Sequence, residues 1–413
     1  MIRRIRIEGY KSFAELDLRL APLSVIFGPN ASGKSNLLDA IYLLSRSVTC
    51  KTLTEAFEGH RGFPLESFYY GDCGYEKLLE KEYLTLTFEV DVDISPSALK
   101  HTEKRLDGFG GYPERGFERY LRYHIEIAAL PATGEVGCLK EVLLPLDENG
   151  SVKPRQPLLH SGWDGDEFGD EKKRPLKERV GNSGTTISSY SSPILPVIPE
   201  MYALQAEMAR WHVYYLEPRL LMREETPRVE IMSGGPHGEG LAAFLNIMRA
   251  KNPQAFEAFE LAFRHVMPDD FSLDLQLTKD GRVSILVQEN GVTFSGRLIS
   301  EGTLRLLGLL AALHPYNDAT VVAFEEPENG VHPARIKIIG DLLKESVANG
   351  KQVLVTTHSP LLAEQFDPVN LFVSRKEGLQ SVIEPFRQLE PDARAEDIQL
   401  ALEDRIIRGD YGG

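Results

Sequence analysis

Gly28-Pro29-Asn30-Ala31-Ser32-Gly33-Lys34-Ser35 has the residue types and spacing of a phosphate-binding loop. Two glycines allow backbone N–H groups to converge on a β-phosphate at a helix start, where the helix dipole favours an anion. Lys34 can bridge β- and γ-phosphates, and the Ser35 hydroxyl can bind Mg²⁺. Asn30, Gly33 and Asn36 complete the candidate cofactor-binding set. The ligands implied are ATP and Mg²⁺.

Three further segments could complete the chemistry. Val321-Val322-Ala323-Phe324-Glu325-Glu326 is an apolar strand ending in two carboxylates. Glu325 would hold the Mg²⁺ shell, and Glu326 would polarise the attacking water as general base. The strand Gln352–Thr357 delivers His358 at its C-terminal end, where ligands of open α/β sheets bind. A neutral His there can hydrogen-bond a γ-phosphate and respond to its loss. Ser300 and Gly302 open an apolar helix, LRLLGLLAAL. They read either as a plain N-cap or as an anion site for the γ-phosphate held by a second subunit.

Elements of the right kind flank these residues. Segments 2–8, 14–20 and 23–27 read as strands, the last running into the loop, and 34–46 places Leu37, Leu38, Ile41 and Leu44 on one helical face. Strand, glycine-rich loop and helix form the context that such a loop needs. Segments 83–93 and 120–130 alternate like antiparallel strands with one solvated face, and 138–146 does so more weakly. Segment 197–210 reads as helix, 211–217 as strand, 237–266 as two helices broken near Asn252-Pro253, and 271–288 as a hairpin turning at Lys279-Asp280-Gly281. The last third alternates helix (301–314, 333–348, 360–365) with strand (320–324, 352–356, 370–374).

The expected organisation is a bipartite ATPase head from 1–50 and 295–375, with an antiparallel β lobe at 51–147. A flexible polar loop at 148–193, a helical/β insertion at 194–294 and a C-terminal extension at 376–413 complete it. No internal repeat or heptad run points to a coiled-coil arm.

Composition bounds the rest. The 413 residues, 42% hydrophobic and 26% charged, suit a soluble multidomain protein. No apolar run is long enough for a membrane span, and the N-terminus lacks a signal peptide's apolar stretch. Cys50, Cys73 and Cys138 are too few and scattered for a disulfide framework or zinc site. These features place the chain in the cytoplasm, with no membrane partner. A net charge of −15 argues against a protein coated all round by nucleic acid, though not against a local basic groove. Lys172, Lys173, Arg174, Lys177 and Arg179 read as a solvated loop or as a DNA-contacting one.

With the four segments in place, the chain resembles the ABC-type ATPases of the SMC/RecF/OLD group, in the short form called AAA-family ATPase. Ile7-Glu8-Gly9-Tyr10-Lys11-Ser12-Phe13 is similar to the group's opening strand, Ser300 to Thr303 to its signature segment, and Glu325-Glu326-Pro327-Glu328 to its Walker B variant. Glu301 stands where the fullest signature has glycine, and His332 where SMC proteins have the D-loop Asp. Gly238-Glu239-Gly240-Leu241 extends the likeness, while no residue is assigned as the Q-loop glutamine. The resemblance implies an α/β P-loop fold with an ABC-type head on a mixed sheet, and head-to-tail homodimers around two ATP.

OLD nucleases also carry a C-terminal Toprim domain of about a hundred residues. The segment after His358 is too short for one, and Asp392, Glu396, Asp397 and Asp404 read as a solvated helix face. The expected function is therefore an ATP-driven conformational switch in DNA repair or antiphage defence, acting on a separate effector protein and/or DNA. The alternatives are a non-hydrolysing ATP-bound scaffold and a transporter's nucleotide-binding subunit. The long separation of the two half-sites speaks against the latter.

Overall fold

The computed structural model describes residues 1–107, 117–162, 183–189, 198–229, 231, 233–267 and 271–389. The chain opens with β1 (Ile2–Tyr10), β2 (Phe13–Arg19) and β3 (Leu23–Phe27), then α1 (Lys34–Thr49). It continues through β4 (Leu84–Asp93), α2 (Pro96–Asp107), β5 (Tyr120–Leu130), β6 (Glu135–Pro145) and β7 (Leu159–Gly162). The middle holds α3 (Pro199–Met208), β8 (Trp211–Tyr214), β9 (Thr226–Pro227), α4 (Leu241–Lys251), α5 (Pro253–Val266), β10 (Phe271–Leu277), β11 (Arg282–Glu289) and β12 (Val292–Ser295). Then come α6 (Glu301–Leu313), β13 (Val321–Glu325), α7 (Ile336–Ala348), β14 (Gln352–Thr357), β15 (Leu371–Glu377) and β16 (Gln380–Pro385).

Two six-stranded sheets and a smaller one result. The antiparallel sheet has the order β2-β1-β4-β5-β6-β7, so strands from the first twenty residues and from the β lobe share one ladder. Alternate residues of β5 are buried, as its period-two pattern predicts. The opposite face carries an ion ladder, with Arg4 bound to Asp17 and Glu89 and Arg122 bound to Asp91.

The mixed sheet runs β16-β15-β3-β14-β13-β8, parallel throughout except for β16. Both faces of β3, β13 and β14 are covered, which is why these strands read as unbroken apolar runs. One face turns Ile26, Ala323 and Leu354 into a core shared with α1 and the antiparallel sheet. The other turns Val25, Val322, Phe324, Val353 and Val355 towards α4–α7 and the β10–β11 hairpin. In α1 the expected stripe of Leu37, Leu38, Ile41 and Leu44 is fully buried between the two sheets.

Several elements escape sequence patterning. In α2 the buried positions Ala98, Thr102 and Leu106 carry little apolar signal amid charged neighbours. Within 148–193, β7 is held by its ladder to β6. In the same stretch, the turn Thr186–Ser189 donates backbone N–H bonds from Thr186 and Ile187 to the buried carboxylate of Glu141. The strand expected over 211–217 stops at Tyr214, because Tyr215 and Glu217 donate to the carbonyls of Pro236 and His237 instead of to a strand. In the C-terminal extension, β16 completes the mixed sheet. The basic cluster at 172–179 and the acidic residues at 392–404 lie outside the described residues. No helix among the described residues is long and apolar enough to cross a membrane.

Because α1 bridges the two sheets, Ile41→Ala should cost about 2–5 kcal/mol, read by urea unfolding. The loss should appear in a single transition, and an unchanged midpoint would show that the shared core is not continuous.

Candidate nucleotide site

Strand register assembles the site. Glu325 stands opposite Thr356, and Thr357 opposite Phe27, so β13, β14 and β3 end side by side. The phosphate-binding loop leaves from that edge, with the Gly28 N–H donating 3.3 Å to the Thr357 carbonyl. Gly33 has φ 105°, and a Cβ there would lie 2.2 Å from Ser381 Oγ. A Cβ on Gly28 would lie 2.1 Å from the Ser374 carbonyl. The β15–β16 ribbon therefore presses directly on the loop. Asn36 and Ser381 both donate to Ser12 Oγ at 2.7 Å, and Ser374 donates to the Ser32 carbonyl at 3.1 Å. Asn30 is exposed.

The residues present fit a phosphate and a divalent cation. Ser32 Oγ is buried without a partner, which leaves a polar atom free inside the cradle. Lys34 folds back to donate to the carbonyls of Gly28 and Pro29, both at 2.8 Å. Burial pushes its pKa down, against the pull of Glu326, Glu325 and Glu328. The Ser35 hydroxyl donates to Glu325 Oε1, so the two hard oxygen donors expected to share Mg²⁺ already converge. Opposite them, Arg61 donates to both oxygens of Glu325, at 3.1 and 3.2 Å, and sets a positive charge where a cation would be held. Among the described residues, no cluster of three His, Cys, Asp or Glu side chains offers another metal site.

Glu326 sits just beyond the strand in the left-handed region, at φ 44°, with its N–H bonded to the Thr356 carbonyl at 2.9 Å. A residue of this type at positive φ persists only where its surroundings hold it. His358 Nδ1 lies 2.9 Å from Glu326 Oε1, and Asn329 donates 2.6 Å to Oε2. Burial pushes the Glu326 carboxyl up, but these bonds and the charges of His358 and Lys34 outweigh it and hold it below the usual range. The group is thus ionised and aimed from a fixed backbone.

Beneath these groups, buried charges are paired with one another. Asp39, buried in α1, accepts from Lys11 Nζ and the Tyr215 hydroxyl at 2.6 Å each, and from Arg61 at 3.1 Å. The Arg61 guanidinium also lies 4.7 Å above the Tyr215 ring. Asp39, Arg61 and Tyr215 are not among the residues to which the sequence points, and Lys11 enters there only as part of the opening segment Ile7 to Phe13. Asp39 could have been noticed as the one acid in an apolar helix, whereas Arg61 falls in a segment without periodicity.

Ser300 and Gly302 lie apart from this cluster. Ser300 is the exposed N-cap of α6 and accepts from the Thr303 N–H at 3.2 Å. A Cβ on Gly302 would lie 2.6 Å from the Gly330 carbonyl, so the start of α6 rests on the turn that follows Glu326. His332 accepts from the Ala334 N–H at 3.2 Å and caps the next short helix.

Fold and site together define a P-loop ATPase with an SMC-type head. A family model described as "AAA domain, putative AbiEii toxin, Type IV TA system" matches residues 150–364, and one described as "AAA ATPase domain" matches residues 1–125. The chain belongs to these AAA-family ATPases, of the SMC/RecF/OLD type. It is 24% identical over 374 residues to an OLD nuclease of Thermus scotoductus, a match covering 88% of this chain and 60% of that protein. It is 41% identical over 75 residues to the DNA replication and repair protein RecF of Chlamydia caviae, covering 17% of this chain and 20% of RecF. The chain thus spans less than two thirds of the curated relatives it matches. A solved SmcHead bound to the C-winged helix domain of ScpA shares the fold, with TM-score 0.52 at 16% identity, covering 92% of this chain and 97% of that one.

A buried histidine beside these groups responds to pH. His60 Nε2 lies 2.5 Å from the buried Tyr10 hydroxyl, and burial, with Lys11 and Arg61 nearby, pushes the imidazole pKa from 6.5 down to about 4. The folded state therefore binds this proton less readily than the unfolded chain. Its stability contribution is complete above pH 6.5 and is lost as pH falls towards 4. The loss amounts to about 3 kcal/mol. Urea unfolding of the wild type and His60→Gln across this range should show a shallower pH slope in the variant, and equal slopes would remove His60 as the cause.

Proposed function

We propose that ATP and Mg²⁺ bind at the edge formed by β3, β13 and β14, and that two copies of the chain close head to tail around two ATP molecules. The observation carrying this reading is the convergence of Ser35, Glu325, Glu326 and His358 from three distant segments onto one sheet edge. In this reading Lys34 leaves its loop carbonyls to bind the β- and γ-phosphates, and the N–H groups around Gly33, with Asn30 and Asn36, complete the cradle. Ser35 and Glu325 would hold Mg²⁺, which would supply positive charge against the phosphate oxygens. Arg61, bonded to Asp39 as well as to Glu325, would stay anchored by Asp39 with a cation held at Glu325.

Glu326 takes a proton from the attacking water as general base. His358, which shares a hydrogen bond with Glu326, orients that carboxylate and contacts the γ-phosphate. Ser300, Gly302 and the N-terminal N–H groups of α6 from the second copy complete the anion site. The exposure of Ser300 at the start of α6 supports this arrangement. Turnover then opens the dimer, and the change of shape is the output.

The protein acts on a separate effector protein and/or DNA in DNA repair or antiphage defence, in the cytoplasm. Support comes from relatives named for nuclease activity, DNA replication and repair, and chromosome partition.

Glu326→Gln should lower phosphate release by about 10²–10⁴-fold while retaining binding of a fluorescent ATP analogue, and sedimentation should show an ATP-dependent dimer accumulating. Unaltered phosphate release would sink the assignment of the base. Mixing inactive Lys34→Ala with inactive Ser300→Arg should restore one working composite site in part of the dimers. No recovery would argue against completion of the site by a second copy.

A further inference from the structure

Arg305 lies on α6, about one turn beyond Gly302, and the mechanism above leaves it unused. It is half-buried, its Nε has no hydrogen-bond partner, and it makes no ion pair among the described residues. The charges within its electrostatic reach are Glu328, Glu301 and Glu326. Glu328 is the most buried of these, at 6% exposure. One of its oxygens accepts from the Thr357 hydroxyl, and the other, Oε2, is buried without a partner. A partly desolvated cation and a desolvated carboxylate oxygen, left separate, cost more than the same two groups paired.

Both groups belong to pieces that touch each other. Gly302 rests against the carbonyl of Gly330, and the turn from Glu326 to Val331 is closed by N–H bonds from Asn329 to the Glu326 carbonyl and from Val331 to the Glu328 carbonyl. With no side chain on Gly302, α6 and this turn pack backbone against backbone. The same turn carries Glu326 at its start.

We propose that Arg305 is a positioning residue that pairs with Glu328 only when α6 shifts against the Glu326–Val331 turn, and so ties the position of the Ser300 helix start to the aim of the Glu326 carboxylate. The inference rests on the assignment of Glu326 and α6 to the ATP reaction. In the structure the pair is open, with Arg305 Nε and Glu328 Oε2 both unpartnered. A phosphate arriving at Ser300 pulls on α6, the pair closes, and the turn is held with Glu326 in place. Occupancy of one copy's helix start would thereby be felt at that same copy's base.

The test is a double-mutant cycle of Arg305→Met, Glu328→Gln and the double variant, with Arg305→Lys as the conservative change. Each single variant should lower kcat about tenfold with KM and nucleotide binding unchanged, and the double variant should lose no more than either single. Arg305→Lys should recover most of the rate. If the pair closes only on phosphate binding, as proposed, melting of Arg305→Met without added nucleotide should be unchanged or raised. A lowered melting temperature, additive losses in kcat, or a loss in KM alone would overturn the proposal. Arg305→Lys and Glu328→Gln keep it testable if Arg305→Met fails to fold. Glu326→Gln, assayed alongside, separates the two levels. If it abolishes turnover while the cycle is additive, only the Arg305 coupling fails. If it turns over normally, the underlying reading of the site fails.

Discussion

Everything at the candidate site depends on the parallel pairing of β14 with β3 on one side and β13 on the other. That pairing sets Thr357 beside Phe27 and Thr356 beside Glu325, and brings Ser35 and Glu325 into contact across 290 positions of sequence. Closing so long a loop costs only modestly more than closing a short one, because the entropy grows with the logarithm of length. The burial of both faces of three apolar strands offsets it. The register also fixes chemistry, since a shift by one residue would exchange the faces of every strand and move both carboxylates off the edge.

Around that edge, charge is balanced locally. Glu325 is met by Arg61, Glu326 by His358 and Asn329, and Asp39 by Lys11 and Arg61. Burial alone would push each buried carboxyl towards its neutral form. The paired groups decide otherwise for Asp39 and Glu326, which are held below the usual range. Glu328 lacks a cationic contact, and burial raises its carboxyl instead. Adjacent acids on one turn thus differ in protonation behaviour because their neighbours differ.

How much was legible follows from the range of each signal. The phosphate-binding loop was readable because its chemistry is contiguous, with a strand before and a helix after. β3, β13 and β14 were readable as apolar runs, and β5 as an alternation, since burial on two faces or one writes itself into the pattern. The short turn at Thr186–Ser189 was not, because its N–H groups are satisfied by Glu141, a residue that no local pattern links to it. Arg61 and Tyr215 were not, because Arg61 lies in a segment without periodicity, Tyr215 lies just past the end of β8, and both act through Asp39, a residue remote from them in the chain.

The sequence by itself determined the chemistry available: a loop able to hold phosphate, carboxylates at a strand end, and a histidine on the following strand. Those residue types are dictated by charge and hydrogen-bonding capacity, which each side chain carries wherever it sits. Only the tertiary structure decided that Arg61 faces Glu325, that the β15–β16 ribbon bears on Gly28 and Gly33, and that Gly302 rests on Gly330. These are contacts between segments remote in the chain. Their existence depends on packing volume and strand register, and neither is a property of any short stretch of sequence.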